Sequence, residues 1–184
     1  MAVYDTYLKA LSADSGSDIS LEADGTATFI YDGRGLMMQW LDDQQAFFIY
    51  VEVGFLMGWG DITILQRVLA ANFMFANTSG GAFSYNPETN TLGLNYLIPA
   101  YNLDNEGFVK QMRKIIACAD MWSTTLREMY AEQESIAQKR IDAVESGEDL
   151  PTGDEINARS VASDMPMMDS SMIGIPSNIK FVTP

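Results

Sequence analysis

The chain of 184 residues contains no histidine and a single cysteine, Cys118. The missing imidazole removes the commonest general base and metal ligand, together with every catalytic triad that requires one. One cysteine can form neither an intrachain disulfide nor a cysteine metal cluster. Cys118 lies in the apolar run KIIACADMW, which predicts a buried side chain rather than a reactive thiol. We therefore expect no cofactor and no metal site, and these absences argue against catalysis without excluding it, because carboxylates, tyrosines and lysines can still act as acids or bases.

Basic residues are also scarce, since 11 lysines and arginines stand against 25 acidic residues, a formal net charge of −14. Nucleic acids and anionic membranes both bind basic surfaces, so we expect neither as a partner. No apolar run approaches the roughly 18–20 residues of a membrane span. The opening MAVYDTYLKALSAD lacks the charge layout of a signal peptide. These features predict a soluble protein of a reducing compartment.

Apolar residues make up 47% of the chain, which is enough for the core of one domain. Their periodicity predicts helices and short strands. The predicted elements are a helix over 3–11, strands over 26–31, 36–41 and 46–53, a helix from 62, strands over 82–85 and 91–98, and a helix after the N-cap Asp104. The order α-β-β-β-α-β-β-α, with antiparallel hairpins, predicts an α+β fold in which helices pack on an antiparallel sheet.

The composition changes near residue 146. The apolar stripe of the last helix thins after Met129, and the helix is predicted to continue to about Ser146 as a solvated extension. Residues 147–184 contain four of the six prolines and show no periodicity. We therefore expect an α+β domain over 1–146 and a flexible or loosely docked tail over 147–184.

Three stretches carry a resemblance through their order and spacing. They are VEVGFL, LQRVLAANFMFANTSGGAFSYNPETNTLGLNYLIP and LDNEGFVKQMRKIIACADMWSTTL. They are similar to the third strand, the middle helix with its hairpin, and the acid-capped final helix of the class I chaperones of bacterial type III secretion, the Tir-chaperone-like family. The resemblance spans roughly residues 1–130, so the last helix and the tail continue past the family's usual end.

This resemblance implies a cytoplasmic homodimer without enzymatic activity. Such chaperones bind an extended N-terminal segment of a secreted effector and keep it competent for export. The 12 methionines suit this task because a flexible thioether adapts to irregular partner side chains. Two other classes stay open: a regulatory or stress adaptor on the same fold, and a small-molecule-binding or enzymatic domain that uses carboxylates.

Two predicted strands, LMMQWL and AFFIYVEV, are apolar on both faces. Either helices cover both faces of the sheet, or one face is a binding surface. We predict a binding surface because alternating apolar side chains can read an extended peptide. The predicted effector-binding residues are Ile30, Met38, Trp40, Phe48 and Tyr50.

The middle helix is apolar on more than one side. The residues predicted to face inward are Ile62, Leu65, Leu69, Phe73 and Ala76. Val68, Met74 and Phe75 lie off that stripe, and a second apolar side requires a cover. Because the resemblance implies dimerisation around this helix, we assign these three residues to the dimer interface.

Overall fold

The computed structural model describes residues 3–58, 61–75 and 77–147, and these residues form a five-stranded sheet with three α-helices. In chain order the elements are α1 (Asp5–Ser15), β1 (Thr26–Tyr31), β2 (Arg34–Leu41), β3 (Ala46–Phe55), α2 (Asp61–Ala71), β4 (Ala82–Asn86), β5 (Thr91–Pro99) and α3 (Asn105–Ser146). The predicted element order and the α+β class are confirmed. The predicted tail lies outside the described residues from position 148 onward.

The strands are arranged in the order β1-β2-β3-β5-β4, and all neighbours are antiparallel. The β1–β2 turn needs only two residues, Asp32 and Gly33, and both have positive φ angles of 49° and 80°. That conformation matches the right-handed twist of a hairpin and favours glycine. The register of β3 shifts between Glu52 and Gly54, which ends the regular alternation of its side chains.

Helices α1 and α3 pack on one face of the sheet, which we call the inner face. Aromatic rings join the three layers: Phe47 of β3 lies 4.8 Å from Phe108 of α3 and 5.9 Å from Tyr7 of α1, measured between ring centroids. The side chains that β3 and β5 bury there are Phe47, Ile49, Val51, Val53, Leu92, Leu94, Tyr96 and Ile98. This single core holds the domain together.

Helix α3 has 42 residues and well-formed ends. The carboxylate of Asp104 accepts a hydrogen bond from the backbone N–H of Gly107 at 2.7 Å, as predicted for its N-cap. At the other end Gly147 has a left-handed conformation, with φ 71°. The predicted apolar stripe is buried as far as Met129, and the helix ends at Ser146, where the sequence predicts its end. No helix of the described residues is long and apolar enough to cross a membrane.

The inward stripe predicted for α2 is wrong at three of its five residues; Leu65 is partly buried against the core, and Ala76 lies outside the described residues. Ile62, Leu69 and Phe73 are 76%, 66% and 75% exposed, whereas the buried residues of α2 are Ile64, Val68 and Ala71. Both sets recur at helical spacing, so periodicity alone does not distinguish the inner side from the outer side. Tertiary packing decides which set is buried, because Ile64, Val68 and Ala71 pack against α3 and the sheet.

The C-terminal half of α3 holds α2 in place. The Tyr130 hydroxyl accepts a hydrogen bond from the backbone N–H of Met57 at 2.8 Å and donates one to Asp61 at the start of α2. Arg67 of α2 forms an ion pair with Glu132 of α3 at 2.8 Å. The extended last helix is therefore part of the folded domain at least as far as Glu132.

Candidate functional site

The face of the sheet opposite α1 and α3, which we call the outer face, has no helix packed on it among the described residues. Cross-strand pairing places Phe48 between Gln39 and Leu97, and Tyr50 between Met37 and Asn95. Ile30 is 68% exposed and Leu97 is 52% exposed, while Phe48 and Tyr50 are half-buried. An antiparallel sheet covered on one side normally alternates apolar with polar residues. At Ile30, Met37, Phe48, Tyr50 and Leu97 the outer face of this sheet is apolar where that pattern predicts polar residues.

The Tyr50 ring lies over a glycine of the neighbouring strand. A Cβ built on Gly93, in the neighbouring strand β5, would approach the Tyr50 ring to 2.2 Å at Cε2. Because Gly93 has no side chain, the ring occupies that space and covers the strand instead of extending into solvent. The outer face therefore presents a broad aromatic surface at this position.

The structure brings together three of the five predicted effector-binding residues, Ile30, Phe48 and Tyr50. The prediction is wrong for Met38 and Trp40, which lie on the inner face. Residues directly opposite each other in an antiparallel pair share a face, and Met38 pairs with Ile49, not with Phe48. Met38 is completely buried.

Trp40 also belongs to the covered side. Its ring packs against Phe47 and Tyr4, with centroids 4.9 Å and 5.4 Å away. Its indole N–H donates to the Asp42 carboxylate at 3.2 Å. The number of residues in the turn between two strands decides which alternate side chains of one strand share a face with those of the other. The sequence alone does not give that number.

Sequence reasoning missed Leu97 as a member of the outer face. The alternation of β5 buries Leu92, Leu94, Tyr96 and Ile98, so the one large apolar residue out of phase is Leu97. That signal was present in the sequence. Its meaning depended on the pairing of β5 with β3, which places Leu97 beside Phe48.

A cavity of about 580 Å³ opens at the end of the sheet beside the β1–β2 turn, and it extends from Tyr50 and Glu52 of the outer face to Asp120 of α3. Its lining includes Asp32, Arg34, Glu52 and Asp120, beside Tyr50. The Arg34 guanidinium forms an ion pair with the Asp120 carboxylate and donates to the backbone carbonyl of Glu52 at 3.0 Å. Charged groups therefore border the apolar outer face at this end.

The outward side of α2 and the turn after it form a second apolar surface, which we call the α2 surface. Its exposed residues are Ile62, Leu69, Phe73, Met74 and Phe75. Met74 and Phe75 have positive φ angles of 57° and 56°, which are rare for bulky residues. Two of the three residues assigned to the dimer interface thus lie on this surface. Val68 does not, because it is buried in the core.

Two ionisable groups of the core, the Cys118 thiol and the Tyr96 hydroxyl, have shifted pKa values. Burial raises the pKa of the Cys118 thiol, which keeps it protonated and unreactive. Burial also raises the pKa of the Tyr96 hydroxyl, which donates a hydrogen bond to the carbonyl of Thr78 at 2.8 Å. No group of three or more candidate ligands within the described ranges could hold a metal ion.

Comparisons with known proteins give a consistent result. The sequence model of the Tir chaperone protein (CesT) family matches residues 6–123. A chain of the ExsC–ExsE complex is similar in structure, with 20% identity and a TM-score of 0.55, over 67% of this chain and 96% of that chain. No curated protein has a sequence that matches this chain.

Two further solved structures are similar. The HopA1–SchA chaperone–effector complex has a chain with 16% identity and a TM-score of 0.52, over 68% of this chain and 94% of its own. The Yersinia pestis type III secretion chaperone SycH, solved with a stable fragment of YscM2, matches with 12% identity and a TM-score of 0.51. The match covers 65% of this chain and 98% of that chain. At these identities the likeness shows a common fold, and that fold occupies almost the full length of each matched chain.

Proposed function

The chain belongs to the Tir chaperone protein (CesT) family, and we propose that it is a cytoplasmic bacterial chaperone that binds an extended segment of a secreted effector and keeps it soluble and export-competent. Membership confirms the resemblance seen in the sequence. The family is one of secretion chaperones, not of enzymes, and a chaperone of this kind needs an exposed apolar surface rather than catalytic groups.

The observation that carries the proposal is the apolar outer face of the sheet. Alternate side chains of an extended peptide lie about 7 Å apart along the chain, as do alternate residues of a strand. Phe48 and Tyr50 can therefore contact successive side chains of a segment that lies along β3, with Leu97 beside Phe48 on β5. The net charge of −14 supports the proposal because it keeps a protein with exposed apolar surface soluble.

Similar proteins support a protein partner. The HopA1–SchA structure is described as a chaperone–effector complex, and ExoU–SpcU, a heterodimeric complex from the type III secretion system of Pseudomonas aeruginosa, matches with a TM-score of 0.50. This chain is related to them in fold at 16% and 15% identity. We extend the kind of partner to this chain, and not its identity.

The proposal includes a homodimer formed through the α2 surface. The exposed apolar side chains Leu69, Phe73 and Phe75 need a cover, and a second copy of α2 offers a matching surface. Sedimentation at micromolar concentration should give about twice the monomer mass of 20.4 kDa. Leu69→Glu should give a folded monomer, whereas Ile141→Glu, at an exposed site near the end of α3, should leave the dimer intact. A wild-type monomer at all concentrations would contradict this part.

The function is tested by isolating the partner. The tagged chain should be purified from its own bacterium, and bound proteins identified by mass spectrometry. We expect a secreted protein held through an N-terminal segment, which is protected from protease in the complex and cleaved when free. A partner bound through a folded domain would instead indicate the regulatory adaptor that the sequence left open.

A further inference from the structure

We propose that the segment bound on the outer face carries a lysine or arginine two residues beyond a pair of alternating apolar residues, and that this basic side chain enters the cavity next to Tyr50. The inference rests on the proposed function, because it specifies the chemistry of the segment that the outer face binds. It is argued from the shape, the charge and the aromatic wall of that cavity.

The shape of the cavity depends on a glycine and on Tyr50. Gly93 pairs with Glu52 on the β5 side, but the Tyr50 ring occupies the space above it. Gly35, on the β2 side, lines the cavity, and a Cβ built there would meet no atom within 4 Å. The apolar platform formed by Phe48 and Tyr50 therefore ends in an open space of about 580 Å³.

The charge of the cavity is negative. Three carboxylates, of Asp32, Glu52 and Asp120, and one guanidinium, of Arg34, line it. Arg34 is already committed to Asp120 and to the Glu52 carbonyl. Among the described residues, no basic side chain forms an ion pair with Asp32 or Glu52. Two carboxylates thus remain to attract a cation from a partner, and they repel an acidic one.

Tyr50 provides the aromatic wall. Its ring lies over Gly93 and lines the cavity. Lysine and arginine are attracted to the face of a tyrosine ring within about 6 Å of its centre. An aromatic face beside two free carboxylates favours a basic side chain over a neutral polar one.

The spacing of the segment follows from β3. Phe48, Tyr50 and Glu52 are consecutive outward residues of this strand before its irregularity at Gly54. A segment lying along β3 places positions i and i+2 against Phe48 and Tyr50, and position i+4 against Glu52. The expected pattern is therefore apolar, any, apolar, any, basic, read in one of the two chain directions.

The test uses fluorescein-labelled nine-residue peptides added to the full-length protein. One peptide carries isoleucine, valine and lysine at positions 3, 5 and 7, its reverse carries them at 7, 5 and 3, and the remaining positions are threonine or serine. Matched peptides replace the lysine with glutamate. In one of the two orders, the lysine peptide should bind about tenfold more tightly than its glutamate counterpart in low salt.

Two variants locate the effect. Glu52→Gln keeps the shape and should remove most of the preference for lysine, whereas Glu128→Gln, an exposed carboxylate on α3, should leave it unchanged. Glu52→Lys should reverse the preference, so that the glutamate peptide binds better. Circular dichroism of each variant confirms that the fold is retained.

The outcomes separate this inference from the proposed function. If lysine and glutamate peptides bind equally well, or if Glu52→Lys leaves the preference in place, the basic-residue inference is overturned and the outer face remains a peptide-binding surface. If no peptide binds in either order, both are overturned. A lysine preference that disappears with Glu52→Gln supports both.

Discussion

The inner and outer faces of the sheet are built from neighbouring residues of the same strands, yet their environments are opposite. On β3, Phe47 and Ile49 are completely buried beneath α1 and α3, whereas Phe48 and Tyr50 are half-buried, with no helix of the described ranges over them. Both pairs are apolar, so apolar character does not decide burial here. The decisive difference is that the helices within residues 3–58, 61–75 and 77–147 pack on one face only.

The comparison assigns different roles to the two faces. The inner face supplies the apolar burial that folding requires. The outer face has the same kind of side chain at Ile30 and Leu97, which are exposed, and at Phe48, which is half-buried. Exposed apolar area without a folding role is typical of a surface that binds a partner. The predictions below test this division from the largest expected effect to the smallest.

Adjacent phenylalanines provide the strongest test. Phe47→Ala should lower the free energy of unfolding by about 3–5 kcal/mol, because it removes a buried ring and leaves a cavity between α1 and α3. Phe48→Ala should lower it by about 1–2 kcal/mol, since the ring is half-buried and lies on the outer face. Urea unfolding of both variants measures the difference. Equal losses would mean that the outer face is also part of the core.

Substituting alanine for two glycines makes the same comparison, because it adds a methyl group beside the buried core in one variant and on the outer face in the other. A Cβ at Gly81 would lie 2.5 Å from the buried Tyr96 ring and 2.9 Å from the Asn95 carbonyl oxygen. Gly81→Ala should therefore destabilise by about 1–3 kcal/mol. At Gly93 the clash is with Tyr50, whose ring can rotate into solvent, so Gly93→Ala should cost less while changing the outer face. A larger loss of thermal stability in Gly93→Ala than in Gly81→Ala would contradict this.

A variant at Tyr130 tests whether the end of α3 stabilises α2. Tyr130 lies seven residues beyond the end of the family match. Tyr130→Phe removes the acceptor for the Met57 N–H and should lower the free energy of unfolding by about 0.5–1.5 kcal/mol. Tyr85→Phe is the control, because its hydroxyl donates to Asn90 on the exposed β4–β5 turn. If both variants unfold as the wild type does, α3 beyond residue 123 does not stabilise α2.

The smallest expected effect is a loss of folding stability at acid pH. Hydrogen bonds from Arg113, and then from Tyr31, lower the pKa of the Asp14 carboxyl below its ordinary 3.8. The unfolded chain then takes up this proton before the folded chain does. The stabilisation is therefore present above pH 3.8 and is lost as the pH falls below it. It is modest because Arg113 is largely exposed.

The measurement is the urea midpoint as a function of pH. Between about pH 5 and pH 3 the wild type should lose stability more steeply than Asp14→Asn, in which the titrating group is absent. Asp18→Asn, at an exposed position on the loop after α1, should follow the wild type. Parallel curves for the wild type and Asp14→Asn would show that the contact joining α1, β1 and α3 does not depend on this carboxylate.

The sequence predicted the elements well because their ends carry local chemical signals. Asp104 caps α3, Pro99 ends β5, and the turn residues NPETN separate β4 from β5. Such signals act over a few residues and need no knowledge of the tertiary structure. Most predicted element ends lie within two residues of those in the structure.

The sequence failed where one element has two apolar sides. The α2 stripe through Leu69 was predicted inside and is exposed, whereas Val68 was assigned to the dimer and is buried. Met38 and Trp40 were assigned to the outer face, and the register places them on the inner face. In each case two patterns have equal periodicity, and only the packing partner distinguishes them. That partner is distant in sequence, so local patterns cannot identify it.

The central claim is that the outer face binds the partner and does not hold the fold. The most direct test is the double variant Phe48→Asp/Tyr50→Asp, measured for thermal unfolding and for binding to the partner isolated with the wild type. We predict an unfolding transition close to that of the wild type and a large loss of affinity, since aromatic anchors each contribute about 2 kcal/mol or more. A folded variant that binds its partner as tightly as the wild type, or a variant that no longer folds, would contradict the account.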